Sequence, residues 1–314
     1  MSALRRGADA FLFQVMLGLC TFWGVQQVAI KAAAPDIVPM MQAMARSGIA
    51  ALLVGLMMSW RGDWKLAGGT LPAGLLTGVL FALEFLFIAL GLQYTLASHI
   101  SVFLYTSPIF SALGLHLLLP SERLRRLQWL GIALCFGGIA LAFSGGVSLD
   151  QMDARMLLGD ALGILGGAAW GATTVAIRAS RLSEAPPTLT LFYQLAIAFV
   201  ALLVLAAVTG QVHQVSLTPL GVGSVLFQGV LVSFASYLIW FWLMRRYLAS
   251  HLAVLSFMTP LFGVTFGVVL LDEPLSLNFV AGAVLVLLGI FLVNSEQWIR
   301  RLLSGSGVPR EPHS

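Results

Sequence analysis

Ten long apolar stretches, separated by short polar breaks, make up most of this chain. An apolar stretch of about 20 residues is long enough to cross the hydrocarbon core of a bilayer as an α-helix. A membrane β-barrel would instead need strands of about ten residues with alternating polarity, and the sequence has no such pattern. We therefore predict an all-α polytopic membrane protein with ten transmembrane helices. Spans one to ten cover approximately residues 11–33, 38–60, 71–94, 97–119, 127–144, 157–180, 187–208, 219–245, 250–271 and 276–298.

The basic residues are distributed unevenly between the two sides of the predicted membrane. Only 10% of the residues are charged and 59% are hydrophobic, whereas soluble domains contain about 25% and about 45–50%. The net charge is +4, and most lysines and arginines fall on the side of the two termini. Such an excess marks the cytoplasmic side of a membrane protein. The basic charge therefore predicts that both termini are cytoplasmic, and it does not indicate nucleic-acid binding.

The two halves of the chain repeat each other. Leu-Ala-Ser-His occurs at 96–99 and again at 248–251, and Trp-Gly occurs at 23–24 and again at 170–171. Each copy holds five predicted spans. Since five is an odd number, the second copy enters the membrane from the opposite face, and inverted repeats of this kind are typical of secondary transporters that work by alternating access. The predicted units are residues 11–144 (first five-helix repeat), 157–298 (second five-helix repeat) and 299–314 (cytoplasmic tail).

The order and duplication of these motifs resemble a known family. Trp-Gly marks spans one and six, an Ala-Ser…Pro pattern marks spans four and nine, and Glu-X-Leu follows at Glu122 and Glu273. Together with the ten spans, these features resemble the EamA-like family of the drug/metabolite transporter (DMT) superfamily over residues 11–298. The resemblance implies a multi-pass carrier of the bacterial inner membrane that exports amino acids, other metabolites or drugs. It also implies a cavity between spans one to four and six to nine, and a monomer or a homodimer formed through spans five and ten.

Glu84 is the sharpest candidate for a transport residue. It lies 13 residues into span three, which places it about 20 Å along the helix and near the middle of the membrane. A carboxylate that faced lipid there would cost several kcal/mol, so Glu84 is expected to face the interior, a partner or water. A surrounding of low dielectric constant disfavours the charged form of a carboxyl group. These properties suit a proton-coupling or cation-binding group, and a structural ion pair is the alternative.

Arg46 in span two is the natural partner of Glu84, because the two residues are predicted at depths that differ by less than one helical turn. An arginine in this part of span two is also usual in the family that the chain resembles. The counterparts in the second repeat, Gln194 and Ser236, are neutral. A charge pair in only one half is not required by a symmetric scaffold. Substrate binding and structural pairing both remain open for Arg46.

Other polar and aromatic residues are candidates for the wall of the cavity. Gln26 and Gln27 follow Trp23 by three and four positions, so at least one of them shares its helix face. Thr173 follows Trp170 in the same way. Such groups could line a cavity from both repeats, or they could bond to neighbouring helices. The predicted substrate-binding residues, besides Glu84 and Arg46, are Trp23, Gln26, Gln27, Tyr105, Trp170, Thr173 and Tyr237.

Pro108 and Pro260 occupy matching positions in spans four and nine. Proline removes an intrahelical hydrogen bond and kinks a helix, so the two residues are candidate hinges, with a static kink as the alternative. His99, at the start of span four, is interpreted as a helix-end packing or capping residue. Glycines in spans five and ten indicate a packing or dimer face. A four-residue glycine period in span six predicts close packing of another helix, and its members are Gly159, Gly163, Gly167 and Gly171.

The motifs that are absent from the sequence limit the classes of function. There is no Gly-Lys-Ser/Thr motif for nucleotide binding and no His-Glu-X-X-His or Gly-X-Ser-X-Gly motif of a hydrolase. Cys20 and Cys135 lie within spans and give no disulfide or metal signal, so no cofactor is predicted. We predict a secondary transporter, not an enzyme, that exports an amino acid or related small metabolite with or without proton coupling. Efflux of drugs or organic cations is the alternative, and an intramembrane enzyme, a receptor or a scaffold fits less well.

Overall fold

The computed structural model describes residues 9–66, 68–118, 124–144, 154–213, 215–247 and 258–303, together with residues 252, 255 and 256. Most of these residues are helical, and Ile37 forms an isolated antiparallel bridge with Val215. The prediction of an all-α chain is confirmed. The helices are α1 (Ala10–Ala32), α2 (Pro39–Arg61), α3 (Leu71–Gly91), α4 (Ala97–Leu104), α5 (Ser107–Leu118), α6 (Arg126–Ser144), α7 (Ala154–Arg178), α8 (Pro187–Val208), α9 (Pro219–Leu226), α10 (Tyr237–Arg246), α11 (Met258–Leu271) and α12 (Leu277–Leu303), and a π-helix (Phe227–Ser236) joins α9 to α10.

Seven helical segments of the described chain are long and apolar enough to cross a membrane. They include α4 and α5 taken together as span four, and α9, the π-helix and most of α10 taken together as span eight. Three further apolar helices are shorter and fall in α6, α11 and α12. Each of the ten overlaps one predicted span. The chain is therefore a multi-pass membrane protein.

Local side-chain chemistry explains where several helices begin and end. The Asp9 carboxylate accepts a hydrogen bond from the Leu12 amide at 2.7 Å, and the Thr218 hydroxyl accepts one from the Gly221 amide at 3.0 Å. Both contacts satisfy amide groups that have no partner within the first helical turn. α2 ends at Gly62, whose φ of 73° lies in the left-handed region that glycine adopts without strain.

The helices pack in pairs that correspond when the two halves of the chain are exchanged. α1 packs along α11, and α7 packs along α4 and α5. Likewise, α2 packs on the π-helix and α9, and α8 packs on α3. The pairs α2–α8, α4–α11 and α6–α12 join the corresponding helices themselves. One pair of corresponding interfaces differs. α3 packs closely along α7, whereas α1 packs much less closely against span eight.

The glycines of α7 form its contact with span four, as the sequence predicts. A Cβ atom on Gly167 would lie 2.9 Å from the Leu104 carbonyl oxygen, and one on Gly171 would lie 2.9 Å from the Ser107 carbonyl oxygen. Such distances are too short for a methyl group, so the absence of side chains allows the two backbones to touch. The remaining members of the stripe, Gly159 and Gly163, face residues of the same segment.

α6 and α12 also pack through glycine, in a contact that lies within one chain. A Cβ atom on Gly138 would lie 2.6 Å from the Gly282 carbonyl oxygen. Nearby, the Cys135 thiol donates a hydrogen bond to the Val286 carbonyl oxygen at 3.0 Å. These glycines therefore serve packing inside the protomer, and a homodimer through spans five and ten would use the outward faces of the same helices, where Phe136 is exposed.

Spans four and eight are both irregular near the middle of the bundle. α4 ends at Leu104 and α5 begins at Ser107, so the chain is interrupted at Tyr105 and Thr106. Pro108 is the second residue of α5, a position where proline costs no hydrogen bond, and the expected kink is realised as this break. Pro260 lies within α11, and residues 252, 255 and 256 before it are also helical. The π-helix of span eight has a wide turn of a kind that is frequent at functional sites.

Candidate functional site

Arg46 is buried at the centre of the bundle without a hydrogen-bonding partner. Its side chain is 0% exposed, and its guanidinium carbon lies 3.6 Å from the centre of the Phe85 ring. None of its three side-chain nitrogens has a partner in full hydrogen-bond geometry, and the Tyr237 phenol lies near enough to interact with the guanidinium group. A guanidinium group offers five N–H donors, and an unpaired buried charge costs several kcal/mol. The edges of this group are therefore available to an anionic ligand.

Glu84 lies close to Arg46 but does not form a hydrogen-bonded ion pair with it. The two side chains are near enough to attract each other electrostatically, yet Glu84 Oε2 is buried without a hydrogen-bond partner, as are the guanidinium nitrogens. Arg46 stacks on the neighbouring residue, Phe85, instead. A tight structural ion pair, one of the two interpretations of the sequence, is therefore not what this structure contains. Tyr237 at the start of α10 lies beside Arg46, so three predicted site residues come together.

Trp23 connects α1 to span eight. Its indole nitrogen donates a hydrogen bond to the Ser236 hydroxyl at 2.9 Å, and its ring packs edge-on against Trp240 with 5.5 Å between ring centres. Ser236 is the repeat counterpart of Glu84, and its hydroxyl donates in turn to the Val232 carbonyl oxygen at 2.5 Å. The residue in the second half that corresponds to Glu84 is therefore hydrogen-bonded to a tryptophan side chain.

Trp170, the counterpart of Trp23, packs against Tyr105 in a similar way. The two rings are 5.5 Å apart and nearly perpendicular, at 89°. Tyr105 lies at the break in span four, beside Cys20 and Thr259. The Thr259 hydroxyl oxygen is buried and has no hydrogen-bond partner. Each half thus contributes a tryptophan that contacts an aromatic residue of an irregular span.

The remaining predicted residues differ in what they offer a ligand. Gln26 and Gln27 are both buried, and the side-chain oxygen of Gln27 has no hydrogen-bond partner. The Thr173 hydroxyl donates to the Ala169 carbonyl oxygen of its own helix at 2.9 Å. Its proton is therefore already used within α7. Of the polar groups predicted next to the two tryptophans, Gln27 alone has an unsatisfied buried atom among the described residues.

Unsatisfied buried polar atoms are concentrated in helices that contact one another. A buried polar atom without a partner costs about 1–3 kcal/mol, so a concentration of them indicates a place for water or a polar ligand. Among the described residues, eight of the eleven such atoms come from α1, α2, α3, α11 and the π-helix: Gln27 Oε1, the three nitrogens of Arg46, Glu84 Oε2, Gln228 Oε1, Ser233 Oγ and Thr259 Oγ1. The other three, Ser98 Oγ, Thr188 Oγ1 and Gln211 Oε1, lie in other elements.

A satisfied network, which the sequence did not indicate, connects α2 to span eight. The Gln42 amide group donates to the Ile30 and Ile37 carbonyl oxygens at 3.0 and 2.8 Å. Its oxygen accepts hydrogen bonds from Ser224 at 3.0 Å and from Gln228 at 2.8 Å. The network holds the start of α2 against α9 and the π-helix, and it fixes one edge of the region around Arg46.

A second polar cluster, also missed in the sequence, lies at the end of the bundle where α1 ends and α4 begins. Glu273 Oε1 accepts a hydrogen bond from the Ala97 amide at 2.7 Å, and Oε2 accepts one from the Ser98 amide at 2.9 Å. The Lys31 ammonium group lies 3.6 Å from Glu273 Oε1 and donates a hydrogen bond to the Thr95 carbonyl oxygen. A carboxylate from the segment between α11 and α12 therefore caps α4.

Asp160 of α7 completes this cluster. His99 Nδ1 lies 2.9 and 3.0 Å from the two oxygens of the Asp160 carboxylate, and the Thr95 hydroxyl donates to the same carboxylate. The His99 ring stacks on Phe279 with 3.9 Å between ring centres, in agreement with a helix-end packing role. The repeated Ala-Ser-His and Glu-X-Leu motifs were the available signals for this cluster. The other member of each pair, His251 for His99 and Glu122 for Glu273, lies outside the described residues.

Comparisons with known proteins agree with this architecture. The model of the EamA-like transporter family matches residues 12–144 and 157–295. An "uncharacterized transporter" of Archaeoglobus fulgidus is 28% identical over 279 residues, which cover 88% of this chain and 94% of that protein. A "probable amino-acid metabolite efflux pump" of Escherichia coli K12 is 25% identical, over 90% of this chain and 95% of that protein. A solved crystal structure, 18% identical, shares the fold with a TM-score of 0.62 over 91% of this chain and 98% of that one.

Proposed function

Because the chain belongs to the EamA-like transporter family, we propose that it is a secondary transporter that exports a zwitterionic metabolite of the amino-acid type. Membership makes the chain a membrane transporter and not an enzyme. The substrate class is our inference from the central site. The name of the similar Escherichia coli protein, an amino-acid metabolite efflux pump, supports the same class.

The observation that carries this proposal is the pair of opposite, unsatisfied charges at Arg46 and Glu84. A guanidinium group forms two parallel hydrogen bonds with a carboxylate, and a carboxylate oxygen accepts a hydrogen bond from an ammonium group. Phe85 covers one face of the Arg46 guanidinium and leaves the edges of its plane free. An α-amino acid carries both complementary charges on adjacent atoms, so it can bind Arg46 and Glu84 at once. An organic cation would bind Glu84 only, and Arg46 would repel it.

Aromatic groups around this pair suit the apolar part of such a substrate. Tyr237 lies beside Arg46, and the Trp23–Trp240 and Tyr105–Trp170 pairs come from helices that pack around the same region. Aromatic rings provide large apolar surfaces and accept cations over their faces. The roles of Gln26, Gln27 and Thr173 are secondary in this proposal, with Gln27 offering the unsatisfied oxygen.

Alternating access follows from the proposed inverted repeat. The two family matches divide the chain into halves, and the pairs of packed helices correspond when the halves are exchanged. Five spans in each half would invert the second copy, place both termini in the cytoplasm and leave the tail after residue 298 on that side. Pro108 lies at the start of α5 and Pro260 lies within α11, and hinge motion at these residues would change the position of Tyr105 and Thr259. We place the protein in the bacterial inner membrane, as a monomer or as a homodimer through the outward faces of α6 and α12.

Proton exchange is the proposed driving reaction. Glu84 is buried and has an unsatisfied oxygen, so it can hold either a proton or the ammonium group of the substrate. Competition between these two ligands for one carboxyl group would couple their movements in opposite directions.

Counterflow in proteoliposomes tests the function. Purified protein is reconstituted, and uptake of labelled amino acids and of a membrane-impermeant organic cation such as tetraethylammonium is measured with and without a pH gradient. We expect amino acids to exchange and the cation to remain outside. Exchange of the cation without exchange of amino acids would replace the proposal with the organic-cation alternative, and a lack of movement of any solute would contradict the carrier mechanism.

The counterflow assay also tests whether Arg46 and Glu84 form the substrate-binding site, with the variants Arg46→Gln and Glu84→Gln. Each variant replaces one of the two charges with a neutral amide, and each is expected to abolish amino-acid exchange. The matched control is Gln194→Ala, which changes the neutral counterpart of Arg46 in the other half. Normal exchange in both Arg46→Gln and Glu84→Gln would show that the substrate binds at another site.

A further inference from the structure

We propose that the cluster of Lys31, Thr95, His99, Asp160 and Glu273 is a gate that closes one end of the substrate pathway, and that Glu273 opens it by releasing α4. We call these five residues the Lys31 cluster. The proposal rests on the transport function proposed above, and it concerns residues other than the central site. The positive-inside distribution of basic residues predicts that this end faces away from the cytoplasm.

The contacts of the Lys31 cluster join elements that are distant in sequence. Glu273 binds two amides at the start of α4, and Lys31 attaches the end of α1 to the same carboxylate. Asp160 attaches α7 to α4 through His99, and His99 stacks on Phe279 of α12. Five elements of the bundle therefore converge at the first residues of a single short helix.

The chemistry of these contacts suits an interface that opens and closes. Burying an ion pair costs desolvation energy, and the attraction between the two charges often does no more than offset that cost. Apolar packing would therefore stabilise a permanent contact equally well. When a charged interface separates and water enters, hydration replaces the lost contacts. Glu273 is 5% exposed and Asp160 is also 5% exposed, so both would exchange protein partners for water on opening. A small free-energy difference between the two states is what a reversible gate requires.

The structure is closed at the Lys31 end. α3 and α7 touch there, where a Cβ atom on Gly91 would lie 3.1 Å from the Gly159 carbonyl oxygen. The counterpart of this interface is that between α1 and span eight, where large aromatic residues replace glycine and Phe11 and Trp242 are 6.1 Å apart. A shallow apolar groove lies there, lined by Phe11, Val15, Leu238, Ile239 and Trp242, and Phe11 and Trp242 are exposed.

The gate is connected to the central site through α4. This helix has only eight residues, from Ala97 to Leu104. It begins at the amides that Glu273 binds and ends at the break that contains Tyr105. A rigid helix of this length would transmit a displacement of its start directly to Tyr105, which packs on Trp170. Glu273 is in this sense a positioning residue, since it touches α4 and not the substrate.

The accessibility of Cys20 tests the gate without knowledge of the substrate. Cys20 is fully buried and lies beside Tyr105 and Thr259. In a Cys135→Ser background, a membrane-impermeant cationic methanethiosulfonate is added to intact cells. We expect Glu273→Gln, and independently Lys31→Met, to raise the rate of Cys20 modification about tenfold, as a shift of population toward an open state would. Asp272→Asn is the matched control, because it removes the adjacent charge at a residue with φ of 51°, which asparagine tolerates.

Two outcomes separate the gate from a merely structural cap. A folded Glu273→Gln or Lys31→Met variant with the parental rate of modification would overturn the proposal. An equal rise in Asp272→Asn would also overturn it, because general loosening would then explain the result. Should Glu273→Gln fail to fold, the partly exposed Lys31 still provides the decisive variant. Failure of amino-acid counterflow in the parent protein would reject the substrate and leave this accessibility result standing.

Discussion

The guanidinium group of Arg46 lies over the ring of Phe85, with 3.6 Å between its central carbon and the ring centre. This arrangement orients the donors of Arg46 in one plane while leaving them without hydrogen-bond partners. The ring therefore fixes the direction from which an anion can approach. Stacking of this kind requires a planar cation, which lysine does not provide.

Arg46→Lys is expected to lose most of the amino-acid exchange although it keeps the positive charge. Lysine can neither stack in the same way on Phe85 nor donate two parallel hydrogen bonds to a carboxylate. The initial rate of counterflow in proteoliposomes provides the measurement. Retention of the parental rate would show that Arg46 acts only as a point charge.

Arg46→Met combined with Glu84→Leu is expected to abolish exchange while increasing stability by about 1–4 kcal/mol, the range found when a buried pair of opposite charges is replaced by apolar groups of similar size. The reason is that both wild-type charges are desolvated without a hydrogen bond between them. Arg46→Met alone should destabilise the protein, because it leaves the Glu84 charge buried without the charge that attracts it. Thermal unfolding in detergent, followed by tryptophan fluorescence, measures the stability. Gln194→Met serves as the control at the corresponding position of α8, and a loss of stability in the double variant would indicate that the two charges contribute to the fold.

Glu84→Gln is expected to make transport insensitive to a pH gradient. Glutamine keeps the shape of the side chain but cannot exchange a proton, so the gradient can no longer drive the substrate. Net flux in proteoliposomes with an imposed gradient, compared with flux in its absence, gives the answer. Persistence of the gradient-driven flux would assign proton coupling to another residue.

Trp23→Phe and Ser236→Ala are expected to destabilise the protein by similar amounts, and their effects should not add. Each removes one partner of the hydrogen bond at 2.9 Å, which is worth about 0.5–1.5 kcal/mol. A double-mutant cycle based on unfolding midpoints isolates this energy. Fully additive effects would show that the hydrogen bond contributes nothing to stability.

Gly138→Ala and Gly137→Ala form a matched pair in α6. A Cβ atom on Gly138 would lie 2.6 Å from the Gly282 carbonyl oxygen, whereas one on Gly137 would meet no atom within 4 Å. Gly138→Ala is therefore expected to destabilise the protein by about 1–3 kcal/mol through overpacking. Gly137→Ala should be neutral or slightly stabilising, since alanine favours a helix by about 1 kcal/mol. Melting temperatures check both, and equal changes would contradict the observed packing of α6 on α12.

The helical architecture was largely predictable because apolar length and local spacing determine it. The glycine period of α7 predicted a close contact, and the depth of Glu84 predicted that it would lie in the interior near Arg46. What local patterns do not contain is the relative rotation of two helices. That rotation brings Phe85, and not the Glu84 carboxylate, into contact with the guanidinium group.

The Lys31 cluster illustrates the opposite case. Lys31 and Glu273 are 242 positions apart, and neither lies in a pattern that specifies the other. The cap on α4 is the carboxylate of Glu273, which is distant in sequence. The residues that directly precede α4 therefore do not predict it. Likewise, the apolar sequence of Phe227–Ser236 contains nothing that distinguishes a π-helix from an α-helix, since both bury the same surface.

The π-helix also accounts for a difference in length between the two halves. Helices α3 and α9 begin 148 positions apart, at Leu71 and Pro219, yet the Leu-Ala-Ser-His blocks that follow them are separated by 152. α3 ends at Gly91, whereas the helical residues of span eight continue to Arg246, so the additional residues lie inside span eight. A π-turn holds more residues than an α-turn for the same advance along the axis, so the wide turns of Phe227–Ser236 accommodate part of this length within the thickness of the bilayer. The backbone of span eight beside Arg46 therefore has a shape that α3 does not have.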